Sequence, residues 1–315
     1  MKRRATRRVK KQITSLGQYM EVITSLHEIG LIQQYLDPTR NVFIFRGMSD
    51  YAYTLLPSIF RKQKYKVPND DNEYEDYVYS SFFSHGREQE VLSSFILEAS
   101  GLVNIPQENS FRWAEYAQHF GVPTRFLDWT SNPLVALHFA CRERKEDDGV
   151  VWLLDTSRYG ELYAKYYAEI PESDKKLTKQ EIFNQLLEGV SSLELPFRHQ
   201  PLYVDSRMSA QASQFMVWGN NKQPLEDILS DKSHNLEYFD DKEIKLLAIK
   251  RSNVLYRIKI PARNKQRILR ELDLIGISEK SLFPGLDGIG KYIERSHRID
   301  VDEFLYYDKK LSKLK

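Results

Sequence analysis

The run Val42-Phe43-Ile44-Phe45 leads straight into Arg46-Gly47. Four consecutive β-branched or aromatic residues read as a buried strand. An arginine at the end of such a strand constrains everything around it, because a buried guanidinium without a partner costs several kcal/mol. Two partners suit the fixed fork of donors: an anionic ligand such as a diphosphate or carboxylate, or Asp128 acting as a structural clamp. Gly47 is expected to let the chain turn and to bring backbone N–H groups close to a ligand.

Around this strand the pattern alternates between helix and strand. Residues 15–36 carry Met20, Val22, Ile23, Leu26, Ile29 and Ile32 mostly on one face, which predicts a helix. Residues 62–75 are charged and polar and read as a loop, followed by a helix over 76–98. A helix from 111 to 120 is expected with Ser110 as N-cap, ended by Gly121 and Pro123. A short strand over 126–128 precedes a buried helix capped by Thr130 or Ser131, with Pro133 in its first turn. Residues 149–156 form a core strand, and 157–195 read as mixed helix and charged loop. Strands are expected at 202–204, 215–218 and 253–261, then a helix stopped by Gly276 and a shorter one after Pro284. The fold class is α+β, with a split mixed or antiparallel sheet flanked by helices.

A hydrophobic content of 41% over 315 residues supports a real core. No apolar run is long enough for a membrane span, and the first residues lack the apolar core of a secretory signal. A lone cysteine, Cys141, excludes an internal disulfide and fits a cytoplasmic protein. The 7 histidines show no ligand pair at helical spacing, so no metal is expected. The net charge of +2 conceals a basic start: Lys2, Arg3, Arg4, Arg7, Arg8, Lys10 and Lys11 leave the remainder net acidic. Residues 1–14 read as a basic, disordered arm able to contact nucleic acid, or as a solvated terminus; residues 15–315 read as one domain.

Polar residues cluster at the ends of apolar segments in four places: Arg46-Gly47, Gln118-His119 with Arg125, Asp128-Trp129-Thr130-Ser131, and Arg207 with Gln211. Phe45-Arg46-Gly47 followed by LLPSIFR, the stretch Trp113–Cys141 and the stretch Arg207–Phe215 together resemble the FRG domain, a mainly bacterial family. The resemblance covers about residues 20–295. The order of motifs is also similar, more distantly, to the ADP-ribosyltransferase superfamily and implies a fold of that type.

That second resemblance implies NAD as substrate and cleavage of the nicotinamide–ribose bond, with transfer to a macromolecule or to water, as in a toxin or antiphage effector. Arg46 would hold the pyrophosphate, Thr130 and Ser131 would orient the nicotinamide ribose, and Gln211 would stand where the superfamily has a glutamate. Gln211 can hydrogen-bond hydroxyls but carries no charge, which leaves Glu98, Asp128 and Glu243 as replacement carboxylates. His119, Arg125, Asp128, Trp129 and Arg207 complete the expected binding set. Their structural alternatives stay open: His119 as a hydrogen-bonding residue, Trp129 as core, Arg125 and Arg207 as ordinary ion-pair partners. The rival reading is a non-catalytic module that senses a nucleotide or binds protein or nucleic acid.

Overall fold

The computed structural model describes residues 13–34, 43–61, 63–68, 74–79, 85–203, 205–229 and 254–297. The basic arm up to residue 12 and Glu243 lie outside these. The first part holds α1 (Leu16–Gln34), β1 (Phe43–Met48), a 3-10 turn (Ser58–Phe60), β2 (Gln63–Pro68), β3 (Tyr74–Tyr79), α2 (His85–Ala99) and α3 (Ser110–His119). Next come β4 (Phe126–Thr130), α4 (Pro133–Cys141), β5 (Gly149–Asp155), α5 (Thr156–Glu169), α6 (Glu172–Lys175) and α7 (Lys179–Glu188). The last part holds β6 (Phe197–His199), α8 (Ser206–Ala210), β7 (Ser213–Val217), α9 (Leu225–Ile228), β8 (Leu255–Ile260), α10 (Ala262–Leu274), α11 (Glu279–Leu282) and α12 (Leu286–His297).

Six strands form one antiparallel sheet in the order β6-β7-β4-β1-β5-β8. The α+β expectation holds, and the sheet is antiparallel rather than mixed. β1 is the third strand from one edge and the hub: it pairs with β5 along all its length, from Phe43↔Asp155 to Met48↔Val150. On its other side it meets β4 at a single register pair, Phe45↔Thr130. The two central strands therefore part from Arg46 onward. β4 and β5 both run antiparallel to β1, so β4-α4-β5 is a crossover that carries α4 over β1.

Strand alternation sorts the core. On one face Phe45, Val151, Leu153 and Ile258 pack under α1, α4 and α10. On the same face of the other half, Phe126, Phe215 and Val217 pack with Trp113, Phe183 and Leu186 of α3 and α7. On the opposite face Ile44, Leu127, Trp129, Trp152, Met216 and Trp218 pack with Leu55, Ile59 and Phe60.

Several local expectations change. Residues 62–75 are not a plain loop: β2 and β3 pair antiparallel from Gln63↔Tyr79 to Pro68↔Tyr74, and α2 starts only at His85. The segment's charges mask its strand formers Tyr65, Val67, Tyr74, Tyr77 and Val78. The N-cap of α3 is Asn109, accepting from Arg112 N at 3.0 Å, not Ser110. The N-cap of α4 is Asn132, accepting from Leu134 N at 2.9 Å, because Thr130 and Ser131 are still occupied by strand β4 and its turn. Residues 202 and 203 are not in a strand; the edge strand is Phe197–His199.

Gly47 is not a turn residue. It sits inside β1 opposite Val151, and a β-carbon there would lie 1.7 Å from the Ala136 carbonyl oxygen. At Gly149 the same construction meets the Ala140 carbonyl oxygen at 2.3 Å. Two glycines on neighbouring strands thus seat α4 directly on the sheet.

Candidate functional site

A cleft of about 580 Å³ opens where β1 and β4 part. Gly47, Ala136 and Phe139 line it from the α4 side, Gln118, His119 and Phe120 from the end of α3, and Ser58 and Arg61 from the 3-10 turn and the residue after it. Its size falls within the range of small-molecule sites. Of the sequence-predicted residues, the cleft brings together Arg46, Gly47, His119, Asp128, Trp129, Thr130, Arg207 and Gln211.

Arg46 stands at the parting itself. Its Nη1 donates to the Asp128 carbonyl oxygen across the gap and lies 3.8 Å from the Asp128 carboxylate. The side chain thus replaces the strand pairing that β1 and β4 lack beyond Phe45. Its Nε is buried and has no acceptor among the described residues. Asp128 is held by Gln118, whose Nε2 donates to Oδ2 at 2.8 Å, and Gln118 in turn accepts from Thr124 Oγ1 at 2.7 Å. Asp128 is half-exposed and is the one carboxylate among the described residues that line the cleft.

Sequence reasoning missed Arg61, the last residue of LLPSIFR. It lines the cleft, anchors its Nε on the Leu56 carbonyl oxygen at 3.0 Å, and lies close enough to Arg46 for their charges to interact. Burial lowers the Arg46 pKa to about 10, opposed by Asp128 and reinforced by Arg61. Burial also lowers that of Arg61, opposed by Asp128 and Tyr53. Both stay cationic at neutral pH, so two guanidiniums share one carboxylate. The signal was present in the sequence: an arginine at the end of an apolar stretch, as at Arg46. Phe120, 65% exposed at the rim, was also unassigned.

The remaining groups shape the cleft. His119 Nε2 pairs with the Asp205 carboxylate, which also caps α8 by accepting from Met208 N at 2.9 Å. That pairing ties α3 to α8 and brings Arg207 and Gln211 over the cleft. The Arg207 guanidinium lies 4.9 Å from the Phe283 ring centroid, and among the described residues no carboxylate pairs with it. Thr130 Oγ1 donates to the Gln211 carbonyl oxygen at 2.6 Å, and Gln211 Nε2 donates to the Leu282 carbonyl oxygen at 2.9 Å.

Two predicted residues do not line the cleft. Arg125 is 1% exposed and grips Glu88 through Nε and Nη2 at 2.9 and 2.6 Å, with the Trp218 and Leu186 carbonyl oxygens taking further donors. Four of its five N–H donors are taken up inside the protein. Ser131 turns to β7, its N and Oγ both facing the Ala212 carbonyl oxygen. The Trp129 ring is buried in the core beneath the sheet rather than stacked at the mouth. Glu98 on α2 is not among the lining residues.

No described helix is long and apolar enough to cross a membrane. No curated protein and no solved structure matches the chain. The FRG domain family model matches residues 41–149, a narrower span than the motifs suggested, running from just before β1 to the start of β5. That span contains Arg46, Arg61, Gln118 and Asp128, while Arg207 and Gln211 lie beyond it. The strand that carries the arginine, the helix seated on its glycine and the parted strands between them all lie within the residues that match the FRG domain.

Proposed function

We propose that the cleft binds a dinucleotide of the NAD type and that Asp128 supports cleavage of its nicotinamide–ribose bond. The observation that carries this reading is the pair Arg46 and Arg61, the first largely buried and the second exposed, both facing one carboxylate, with Arg46 Nε unpartnered. Such an array suits the diphosphate, which offers acceptors to both forks. Arg207 adds a third cation above the cleft, and the exposed Phe120 ring offers a face for a base. Positive charge develops on the ribose as nicotinamide leaves, and a fixed carboxylate stabilises it where the neutral amide of Gln211 does not. The product would pass to a macromolecular acceptor or to water, the chemistry of a toxin or antiphage effector.

A second reading has its own support. Thr130 spends its hydroxyl proton, and Gln211 one amide N–H, on backbone carbonyl oxygens. A cleft with these two groups turned to the backbone can bind a nucleotide without turning it over.

One experiment separates these readings. NAD binding is measured by calorimetry and nicotinamide release by chromatography, for wild type, Arg46→Ala and Asp128→Asn. Arg46→Ala is expected to abolish binding. Asp128→Asn is expected to keep binding and lose release by about a hundredfold. Wild type that binds without releasing nicotinamide establishes the sensing module, and wild type that fails to bind at millimolar NAD sinks both.

A further inference from the structure

We propose a second ligand site, separate from the cleft, that takes a planar aromatic ring bearing an anionic group. A cavity of about 420 Å³ lies between α5 and α7 and shares no lining residue with the cleft. Tyr159, Tyr163 and Tyr167 line it at intervals of four residues, which places them on one face of α5. The Tyr163 and Tyr167 rings are stacked, 22° apart with centroids 5.9 Å apart, and Tyr159 tilts by 32° from Tyr163. Tyr159 is buried, its hydroxyl donating to the Pro196 carbonyl oxygen, so the half-buried Tyr163 and Tyr167 rings are the ones a ligand ring can meet.

The rim of this cavity is cationic. Lys179 and Arg198 both line it. Lys179 is the first residue of α7, the helix end where the dipole disfavours a cation and favours an anion. It is held there by a chain of contacts: Lys179 Nζ is 3.1 Å from His199 Nδ1, and His199 Nε2 is 2.6 Å from Glu115 Oε1. The other Glu115 oxygen accepts from Arg112 Nη1 at 2.6 Å. Glu115 thus serves Arg112 and His199 before its charge reaches Lys179. The first-turn acid of α7, Glu181, is taken up by the capping box with Thr178. Burial lowers the Lys179 pKa, and Arg198 adds to that shift against the pull of Glu115, so the two cations sense each other. Tyrosine rings and two cations lining one cavity match a planar anion, whether a nucleoside monophosphate or an aromatic carboxylate.

The test titrates the full chain with AMP, indole-3-carboxylate, adenosine and inorganic phosphate, following binding by calorimetry. At least one of the two ring anions is expected to saturate, with adenosine and phosphate each weaker by about tenfold or more. AMP alone binding would identify a nucleotide, and indole-3-carboxylate alone an aromatic acid. Lys179→Met, a surface change, and Tyr163→Leu are each expected to weaken binding by about tenfold. Lys179→Met decides the matter if Tyr163→Leu unfolds. The proposal is overturned if neither ring anion saturates at millimolar concentration. It is equally overturned if binding survives Lys179→Met but disappears with Arg46→Ala, which would move the ligand to the cleft.

Discussion

At Gly47 a β-carbon would overlap the Ala136 carbonyl oxygen at 1.7 Å, and backbone cannot swing aside as a side-chain tip can. Gly47→Ala is therefore expected to lift α4 from β1 and to cost about 3 kcal/mol, read as a fall in the urea midpoint. A loss under about 1 kcal/mol would show that α4 shifts freely over the sheet. Arg125 and Glu88 make the opposite kind of constraint, a buried pair joined by two hydrogen bonds. Glu88→Gln strands the guanidinium and is expected to cost about 3 kcal/mol or more. Replacing both residues by methionine should recover part of that loss, because the stranded charge goes with its partner. A double variant less stable than Glu88→Gln would mean that the pair itself is net stabilising.

Among the elements, α4 and the β1–β4 parting set the shape of the cleft. α4 begins at Asn132, whose side chain accepts from Leu134 N at 2.9 Å. Asn132→Ala is expected to cost about 1 kcal/mol and Asn132→Asp very little. Ser131→Ala serves as the comparison: were Ser131 the cap, the costs would exchange. The parting follows from hydrogen-bond accounting. β1 and β4 share one register pair, and an arginine side chain reaches the Asp128 carbonyl oxygen that a strand amide would otherwise meet. The cleft is therefore as much a property of two strands diverging as of any one residue.

At the scale of the molecule, one sheet face carries two groups of helices, α1, α4 and α10 over one half and α2, α3 and α7 over the other, while α5 and α9 contribute to the core on the opposite face. His138 belongs to the first group and is fully buried on α4. Its Nε2 is 3.8 Å from Glu279, and Arg142 and Arg295 oppose its charging. Burial, with those two cations, lowers its pKa from 6.5 to about 3. The unfolded chain takes up this proton below pH 6.5 and the folded chain does not, so stability falls as pH drops from 6.5 towards about 3. The slope from this one group approaches about 1.4 kcal/mol per pH unit. Urea unfolding from pH 7 to 4 is expected to show it, and His138→Leu to flatten it. An unchanged slope in that variant would assign acid sensitivity to other groups.

Much of the fold was legible in the chain because strand and helix periods are local. The strand at Phe43–Met48, the fully buried strand at Gly149–Asp155 and the helix ended by Gly276 at φ 84° follow from neighbouring residues alone. So did the grouping of Arg46, His119, Asp128 and Gln211, since each lies in or next to an element that converges on the cleft. Other features depend on partners distant in sequence. Whether an arginine meets a glutamate 37 residues earlier, as Arg125 does, or a carbonyl 82 residues later, as Arg46 does, cannot be told from the residues beside it. The role of Gly47 likewise depends on where the crossover sets α4 down. The amino-acid pattern by itself determined the elements and the polar residues at their ends, because both are decided by local periodicity and turn chemistry. Only the tertiary structure decided which guanidiniums are spent inside the protein and which face the cleft, because charge pairing depends on distance in space and not along the chain.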